Sequence, residues 1–263
     1  MKDSKKKYEK IVLATKAFCK QRGFSRAVIG VSGGIDSALT LKVAVDALGK
    51  KNVQAIFMPE TGLSSHLSQE CAESVAEFCN VNLTTKSIDK FLENLSELGS
   101  SDSEKAKKNF AVANFKARIR MSILYYFSNL NKALVFGTCN KTELLTGYFT
   151  KFGDGAADVE ILGDVLKTEV IEIAKAISLP EKIINRPPTA ELFADQTDED
   201  ELGGTYQEID KILKKYLKGA AEFSEEDFFE IYFGSKKSTL EKKILERVVK
   251  NGHKISKTPI IEI

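Results

Sequence analysis

Histidine is nearly missing from this chain: His66 and His253 are the only two in 263 residues, and tryptophan is absent. A histidine-based triad or a His-rich zinc site therefore lacks its parts. The four cysteines, Cys19, Cys71, Cys79 and Cys139, show no CxxC spacing, which points to reduced thiols and a cytoplasmic setting. An excess of either charge is also missing, since 39 basic and 37 acidic side chains leave a formal +2. That balance provides no general field for nucleic acid or a membrane surface. The lysine-rich stretches 2–10 and 236–243 read as solvated helix faces. No apolar run reaches transmembrane length, and the basic N-terminus is not followed by the apolar core of a secretory signal.

What the chain does contain is apolar material in a regular arrangement. At 43% hydrophobic residues it can bury a full core and is expected to form one large α/β domain over 1–263. Short apolar runs near 27–31, 53–58, 83–86 and 133–137 alternate with helical periods near 36–48, 67–79 and 104–127. A leading helix carries the stripe Tyr8, Ile11, Val12, Thr15, Phe18 and Cys19. This alternation predicts an open, mainly parallel, doubly wound sheet flanked by helices, with ligands at the carboxyl ends of its strands. Three of those ends should converge on one crevice. Beyond Pro180, Arg186-Pro187-Pro188-Thr189 and the acidic, turn-like run 195–201 break the pattern. The segment 186–205 reads either as a flap or as a solvent loop, with Thr197 or Asp198 capping a short helix. The helices expected over 206–252 should pack onto the body.

Between the first strand and its helix stands Ser32-Gly33-Gly34-Ile35-Asp36-Ser37. Paired glycines let the backbone approach an anion, and the helix beyond them presents free N–H groups and a positive dipole end. No lysine follows the glycines as it would in a Walker loop. Asp36 takes that region instead. Beside a bound phosphate, at about 5 Å and an effective dielectric of about 20, it meets a repulsion of roughly 3 kcal/mol, against a dipole benefit of about 0.3–1 kcal/mol. A divalent cation between the two reverses the balance, and Mg²⁺ suits a place built from a carboxylate and phosphate oxygens. The competing reading is an ordinary strand-to-helix turn with Asp36 as a stabilising charge. After a hydrophobic strand, this hexapeptide resembles the pyrophosphate loop of the N-type ATP pyrophosphatases, which implies cleavage of ATP to AMP and pyrophosphate through an adenylated intermediate.

Other segments bear on the acceptor. Phe110, Asn114, Arg118 and Tyr125 can share one face of a helix by their spacing. Beyond the fourth strand, 137–158 packs polar groups, glycines and aromatics. There Glu143 can join Asp36 on a metal, Thr138 can bond phosphate or ribose, and Lys151 with Asp154 can address a second ligand. Lys167, at the head of a helix, can reach phosphate as a point charge.

Taken together, Lys116-Ala-Arg-Ile-Arg-Met121, Asn140-Lys-Thr-Glu143, Gly147-Tyr-Phe-Thr-Lys-Phe-Gly-Asp154, Lys167-Thr-Glu-Val170, Arg186-Pro-Pro-Thr-Ala190 and Asp195-Gln-Thr-Asp-Glu-Asp-Glu-Leu202 resemble the NAD synthetases through most of the chain. The resemblance implies a Rossmann-like, adenine-nucleotide-hydrolase-like fold and an ammonia-dependent ligase. In that chemistry the nicotinate carboxylate of deamido-NAD attacks the α-phosphate of ATP, and ammonia then displaces AMP to give NAD. It further implies that Asp36 and Glu143 hold Mg²⁺, and that Ser32, Gly33, Gly34, Ser37 and Lys167 hold pyrophosphate. Arg118, Thr138 and Thr189 would contact ATP. Phe110, Asn114, Tyr125, Tyr148, Lys151, Asp158, His253 and Lys254 would form a deamido-NAD pocket across a homodimer interface. Asp154 would meet the incoming ammonia as base or orienter, with Asp36 and Lys167 the other catalytic groups.

Two departures stand out, Cys139 in place of a smaller residue and Glu160-Ile161 in place of Asn-Pro. No glutaminase-like segment is seen, so free ammonia is the expected nitrogen source, and a separate glutaminase partner is left open. A tRNA-modifying pyrophosphatase fits the balanced charge poorly. A nucleotide sensor without turnover sits badly with two metal carboxylates.

Overall fold

Small and β-branched residues occupy both faces of the run 27–31, and apart from Gln54 the run 53–57 is apolar on both faces, as expected for strands covered on both sides. The computed structural model describes residues 2–93, 105–188, 198–216 and 238–261, the side chains of 105–109 apart. Its strands β1 (Ala27–Gly30), β2 (Val53–Phe57), β3 (Leu83–Thr85), β4 (Leu134–Gly137) and β5 (Val159–Glu160) form one sheet in the order β3-β2-β1-β4-β5. All four pairings are parallel. The α/β class and parallel sheet expected from the alternation are therefore present. The fifth strand was not expected, because two residues carry no period-2 signal.

Alternation within β1 divides the core. Ala27 and Ile29 pack in the cluster that contains Tyr8 and Cys19 of α1 (Lys2–Gln21), Leu39 and Val43 of α2 (Ile35–Leu48), Val75 of α3 (His66–Phe78) and Ile173 of α6 (Lys167–Ala176). Val28 instead meets Ile119 and Ile123 of α4 (Lys105–Asn131) with Ile56 and Met58. Truncating a buried residue such as Leu41 to alanine should cost about 2–5 kcal/mol.

A third cluster lies beside the sheet. Leu145 of α5 (Lys141–Thr146), Leu202 of α8 (Asp198–Leu202), Tyr206 and Ile209 of α9 (Tyr206–Tyr216) and Leu245 and Val248 of α10 (Thr239–Asn251) pack there. α7 (Glu181–Ile184) is a single turn that buries Ile183 against the main core.

The acidic run, turn-like in composition, carries the short helix expected after Thr197 or Asp198: Asp198 to Leu202 form α8 with Leu202 fully buried, and four acids in its first turn suit the positive end of a helix dipole. Residues 189–197, and with them Thr189, lie outside the described residues. Their flanks meet, since the Asp198 N–H donates to the Pro188 carbonyl at 3.2 Å. Strand order reverses between β1 and β4, so the ligand crevice expected of such a sheet falls between the 32–37 loop and Thr138. Among the described residues no helix is long and apolar enough to cross a membrane.

Candidate functional site

The two glycines of the loop do different work. Gly33 sits at φ +83°, and a Cβ there would stand 2.4 Å from the backbone oxygen of Ser68, so only glycine lets the turn lie against the start of α3. Gly34 has an ordinary φ of −79° and is the N-cap of α2, with no side chain capping the helix. The first N–H groups of α2 are thus left for an anion. Ser37 is buried and donates to the Gly34 carbonyl at 2.9 Å, while the Ser32 N–H donates to Ser37 Oγ at 3.2 Å. Ser37 therefore braces the loop, and exposed Ser32 lies at its mouth.

Asp36, in the first turn of α2, is gripped from two directions. Asn140 Nδ2 donates to one carboxylate oxygen at 2.9 Å and Lys167 Nζ to the other at 2.5 Å. Asn140 is also the N-cap of α5: its side chain accepts from the Glu143 N–H at 3.0 Å, and Glu143 Oε2 accepts from the Asn140 N–H at 3.1 Å. This reciprocal cap locks the Glu143 rotamer and leaves Oε1 facing Lys167 Nζ at 3.5 Å. The local signal that starts a helix thus also aims a carboxylate.

Lys167 is the first residue of α6 and only 3% exposed. An ammonium at that end of a helix opposes the dipole and is desolvated as well. Burial works against its charge, but Asp36 and Glu143 outweigh burial and hold its pKa above the ordinary value. Glu143 is pushed up to about 8, by burial first and then by Asp36, with Lys167 opposing. Behind them stands buried Asp198, which accepts from Tyr148 at 3.1 Å and Tyr206 at 3.0 Å. The Tyr206 ring lies 5.1 Å from Lys167 Nζ.

Buried Asp210 of α9 ties two helix starts together, accepting from Thr142 Oγ1 at 2.5 Å and from the Thr168 N–H at 2.8 Å. The Thr142 hydroxyl in turn accepts from the Lys167 N–H at 3.0 Å. Asn140, Asp198, Tyr206 and Asp210 were given no site role from the sequence. Asp210 left a trace there, as a carboxylate beside Ile209 on the apolar stripe of an amphipathic helix.

Near Cys139, Asp154 accepts from the Thr150 N–H at 2.9 Å, and loss of hydration raises its carboxyl above the usual range against the pull of that bond. The residue as a whole keeps an exposed surface. Glu160 lies across Gly137: its Oε2 accepts from the Cys139 N–H at 3.0 Å, and its Oε1 is buried without a partner. Burial pushes Glu160 up to about 8. Cys139, buried between them, donates its thiol to the Asp154 carbonyl at 3.6 Å. Both departures noted in the sequence thus brace the turn that carries Thr138.

The residues assigned to the second substrate divide into groups. Asn114 accepts from Thr150 Oγ1 at 2.7 Å, Arg118 donates to the Lys151 carbonyl at 3.1 and 3.3 Å, and Phe110 is exposed one turn before. Lys151 Nζ donates to the His253 carbonyl at 2.6 Å. Tyr125 donates to Asp158 at 3.4 Å, and Asp158 also accepts from the Val135 N–H at 2.7 Å. Tyr148 lies beside Asp198, in the carboxylate cluster. Lys254 spends its ammonium on the carbonyls of Gly147 and Phe149 at 2.7 and 2.9 Å.

No set of three or more His, Cys, Asp or Glu side chains arranged to hold a metal occurs among the described residues. Two facing carboxylates beside a helix N-terminus free of side-chain caps nonetheless fit the chemistry of a hard divalent ion that would take its remaining ligands from phosphate and water. The charge count agrees: Asp36, Glu143 and Asp198 against Lys167 leave two negative charges when all are ionised.

Comparison with known proteins bears on this geometry. The NH(3)-dependent NAD(+) synthetase of Methanosarcina acetivorans is 37% identical over 247 residues, 92% of this chain and 91% of that protein. The enzyme of the same name from Methanococcoides burtonii is 45% identical over 197 residues, 75% of this chain and 74% of that one. Among solved structures, the NMN synthetase of Francisella tularensis matches with a TM-score of 0.82 at 30% identity, over 99% of both chains. The NH3-dependent NAD synthetase of Campylobacter jejuni, solved with a nitrate ion, matches with a TM-score of 0.74 at 30% identity, over 98% of this chain and 99% of that one. The NAD synthase family matches residues 7–258, nearly the whole crevice included, and the chain belongs to that family.

Proposed function

We propose that this chain is an ammonia-dependent NAD synthetase working as one domain over 1–263. A free carboxylate resists ammonia because it has no leaving group, and AMP supplies one. A nicotinate carboxylate oxygen of deamido-NAD attacks the α-phosphorus of ATP, and the bond to the bridging oxygen breaks to release pyrophosphate. Ammonia then adds to the activated carbonyl carbon, AMP leaves with the electron pair, and the nitrogen sheds its extra proton. The observation that carries this reading is the Asp36–Glu143–Lys167 cluster at the mouth of the 32–37 loop.

Asp36 and Glu143 are the residues that would hold Mg²⁺, which neutralises phosphate charge when bound. Ser32, Gly33, Gly34 and the first N–H groups of α2 cradle the pyrophosphate, with Ser37 keeping the loop in shape. Arg118 and Thr138 orient ATP. Asp154, whose carboxyl loss of hydration raises above the usual range, is the group that meets the incoming ammonia, as base or orienter. The deamido-NAD pocket draws on Phe110, Asn114, Tyr125, Tyr148, Lys151, Asp158, His253 and Lys254, shared between two subunits. In support of a homodimer, α4 exposes Tyr126 by 61% and, one turn on along the same side, Leu130 by 62%, an apolar patch suited to a second copy. A cytoplasmic setting accords with four free, buried cysteines.

A second reading is favoured by the NMN synthetase match, in which the acceptor would be the mononucleotide. Purified protein with ATP, Mg²⁺ and ammonium, offered deamido-NAD and nicotinate mononucleotide in parallel, separates the two. Equal yields of NAD, AMP and pyrophosphate are expected from deamido-NAD. Release of ADP overturns the chemistry, and faster turnover of the mononucleotide overturns the acceptor.

A further inference from the structure

We infer that Lys167 is the resident cation of the Asp36–Glu143 pair, so that a divalent metal gains this site only when nucleotide phosphates draw the ammonium away. The inference rests on the proposed phosphate and metal roles of these residues and adds an order of events to them.

The geometry carries the argument. Lys167 Nζ stands 2.5 Å from Asp36 Oδ2 and 3.5 Å from Glu143 Oε1, and so its charge already pairs with both carboxylates that would hold a metal. Each carboxylate has its other oxygen committed, Asp36 Oδ1 to Asn140 Nδ2 and Glu143 Oε2 to the Asn140 N–H. A metal therefore cannot take the pair by turning the carboxylates away from the lysine without giving up the Asn140 amide in the case of Asp36 or the cap of α5 in the case of Glu143.

Nor, among the described residues, does the ammonium hydrogen-bond or ion-pair with any acceptor besides these two carboxylates. Its side chain is 4% exposed, which keeps it from water. Asp198, the third carboxylate of the cluster, is already engaged by Tyr148 and Tyr206, and the Tyr206 ring face is its remaining neighbour. Moving Lys167 with nothing to receive it would leave a buried charge unpaired. Phosphates seated on the α2 N-terminus would provide the receiving anion, at the same first turn that carries Asp36. The same lysine then does two things in succession: it neutralises the empty carboxylate pair, and it follows the phosphates while the metal replaces it.

Manganese alone is the probe. Metal that is bound by wild type or variant and lost on Asp36→Asn is counted as this site, by electron paramagnetic resonance of free Mn²⁺ in nucleotide-free protein. Wild type is expected to show no such binding, while Lys167→Met, similar in length but uncharged, binds Mn²⁺ at least about tenfold more tightly, within the usual range of coupling between sites. Equal affinities in wild type and Lys167→Met overturn the inference.

Because Lys167→Met leaves two buried carboxylates and could fail to fold, wild-type crystals give an independent answer. Nucleotide-free crystals soaked in Mn²⁺ should show no anomalous peak between Asp36 and Glu143. With a non-hydrolysable ATP analogue the peak should appear and Lys167 should leave both carboxylates. A peak without nucleotide, or Lys167 still bridging with it, overturns the inference. Neither measurement uses turnover, so failure here leaves the synthetase reading standing, and failure of the NAD assay leaves this result readable.

Discussion

Asn140 donates its side-chain amide to Asp36 at 2.9 Å while its side-chain oxygen accepts from the Glu143 N–H at 3.0 Å. One residue thus holds a carboxylate on α2 and starts the helix that carries the other carboxylate, across 104 positions of sequence. Asn140→Ser should keep the cap and lose the grip on Asp36, whereas Asn140→Ala loses both. Alanine is expected to cost about 0.5–2 kcal/mol of stability, and serine much less. Both should lower kcat/KM by about tenfold or more, the loss of roughly 1.4 kcal/mol of transition-state binding. Melting curves and steady-state rates on the same preparations check the split, and full activity in the serine variant would refute it.

The paired glycines should respond differently to alanine. Gly33→Ala places a Cβ 2.4 Å from a backbone oxygen at φ +83°, and the backbone conformation alone costs about 1–2 kcal/mol. Gly34→Ala meets only Ser32 Oγ at 3.3 Å. Denaturant unfolding is expected to show a large loss for the first and little for the second. Calorimetry with ATP should show weaker binding for both.

Glu160 makes a pH prediction. Burial raises its folded pKa to about 8 from an ordinary 4.5. Between those values the folded chain binds more protons than the unfolded one, so this group's contribution to stability is fully present below about 4.5 and is lost as pH rises through 8. Across the window the loss is of the order of 2–5 kcal/mol. Glu160→Gln keeps an acceptor for the Cys139 N–H and removes the titration. Its unfolding free energy should fall less than the wild type's between pH 5 and pH 8.5, and parallel profiles would refute the assignment.

Asp210 predicts coupling between packing and chemistry. Asp210→Ala strips the acceptor from Thr142 and from the Thr168 N–H, next to Lys167. With buried donors left unpaired, stability should drop by about 1.5–3 kcal/mol. Activity should fall at temperatures where far-ultraviolet dichroism still reports a folded chain. Loss of stability with an unchanged kcat/KM would show that Asp210 only packs.

Much of this was legible locally. The 32–37 loop, the Asn140–Glu143 cap and the βα alternation are patterns within a few residues, and propensity, dipole and capping act at that range. Lys167 could be seen at the head of a helix, where a buried cation has no structural reason to be. Its present partner could not. β5 has no signal in the sequence because two residues have no period, and for α8 the sequence shows only where a short helix can start, while the buried Leu202 that closes it against α9 shows in the packing alone.

The chain's own order of residues settles the paired-glycine turn before α2 and the strands that must be covered on both faces, since each depends on neighbours along the backbone. Tertiary structure alone decides that Lys167, 131 positions from Asp36, lies between two carboxylates, that Asp198 and Tyr206 stand behind it, and that Asp210 ties two helix starts together. Those placements come from packing α5, α6, α8 and α9 around a shared apolar cluster. Desolvated charges find their partners only when that packing has shut out the water.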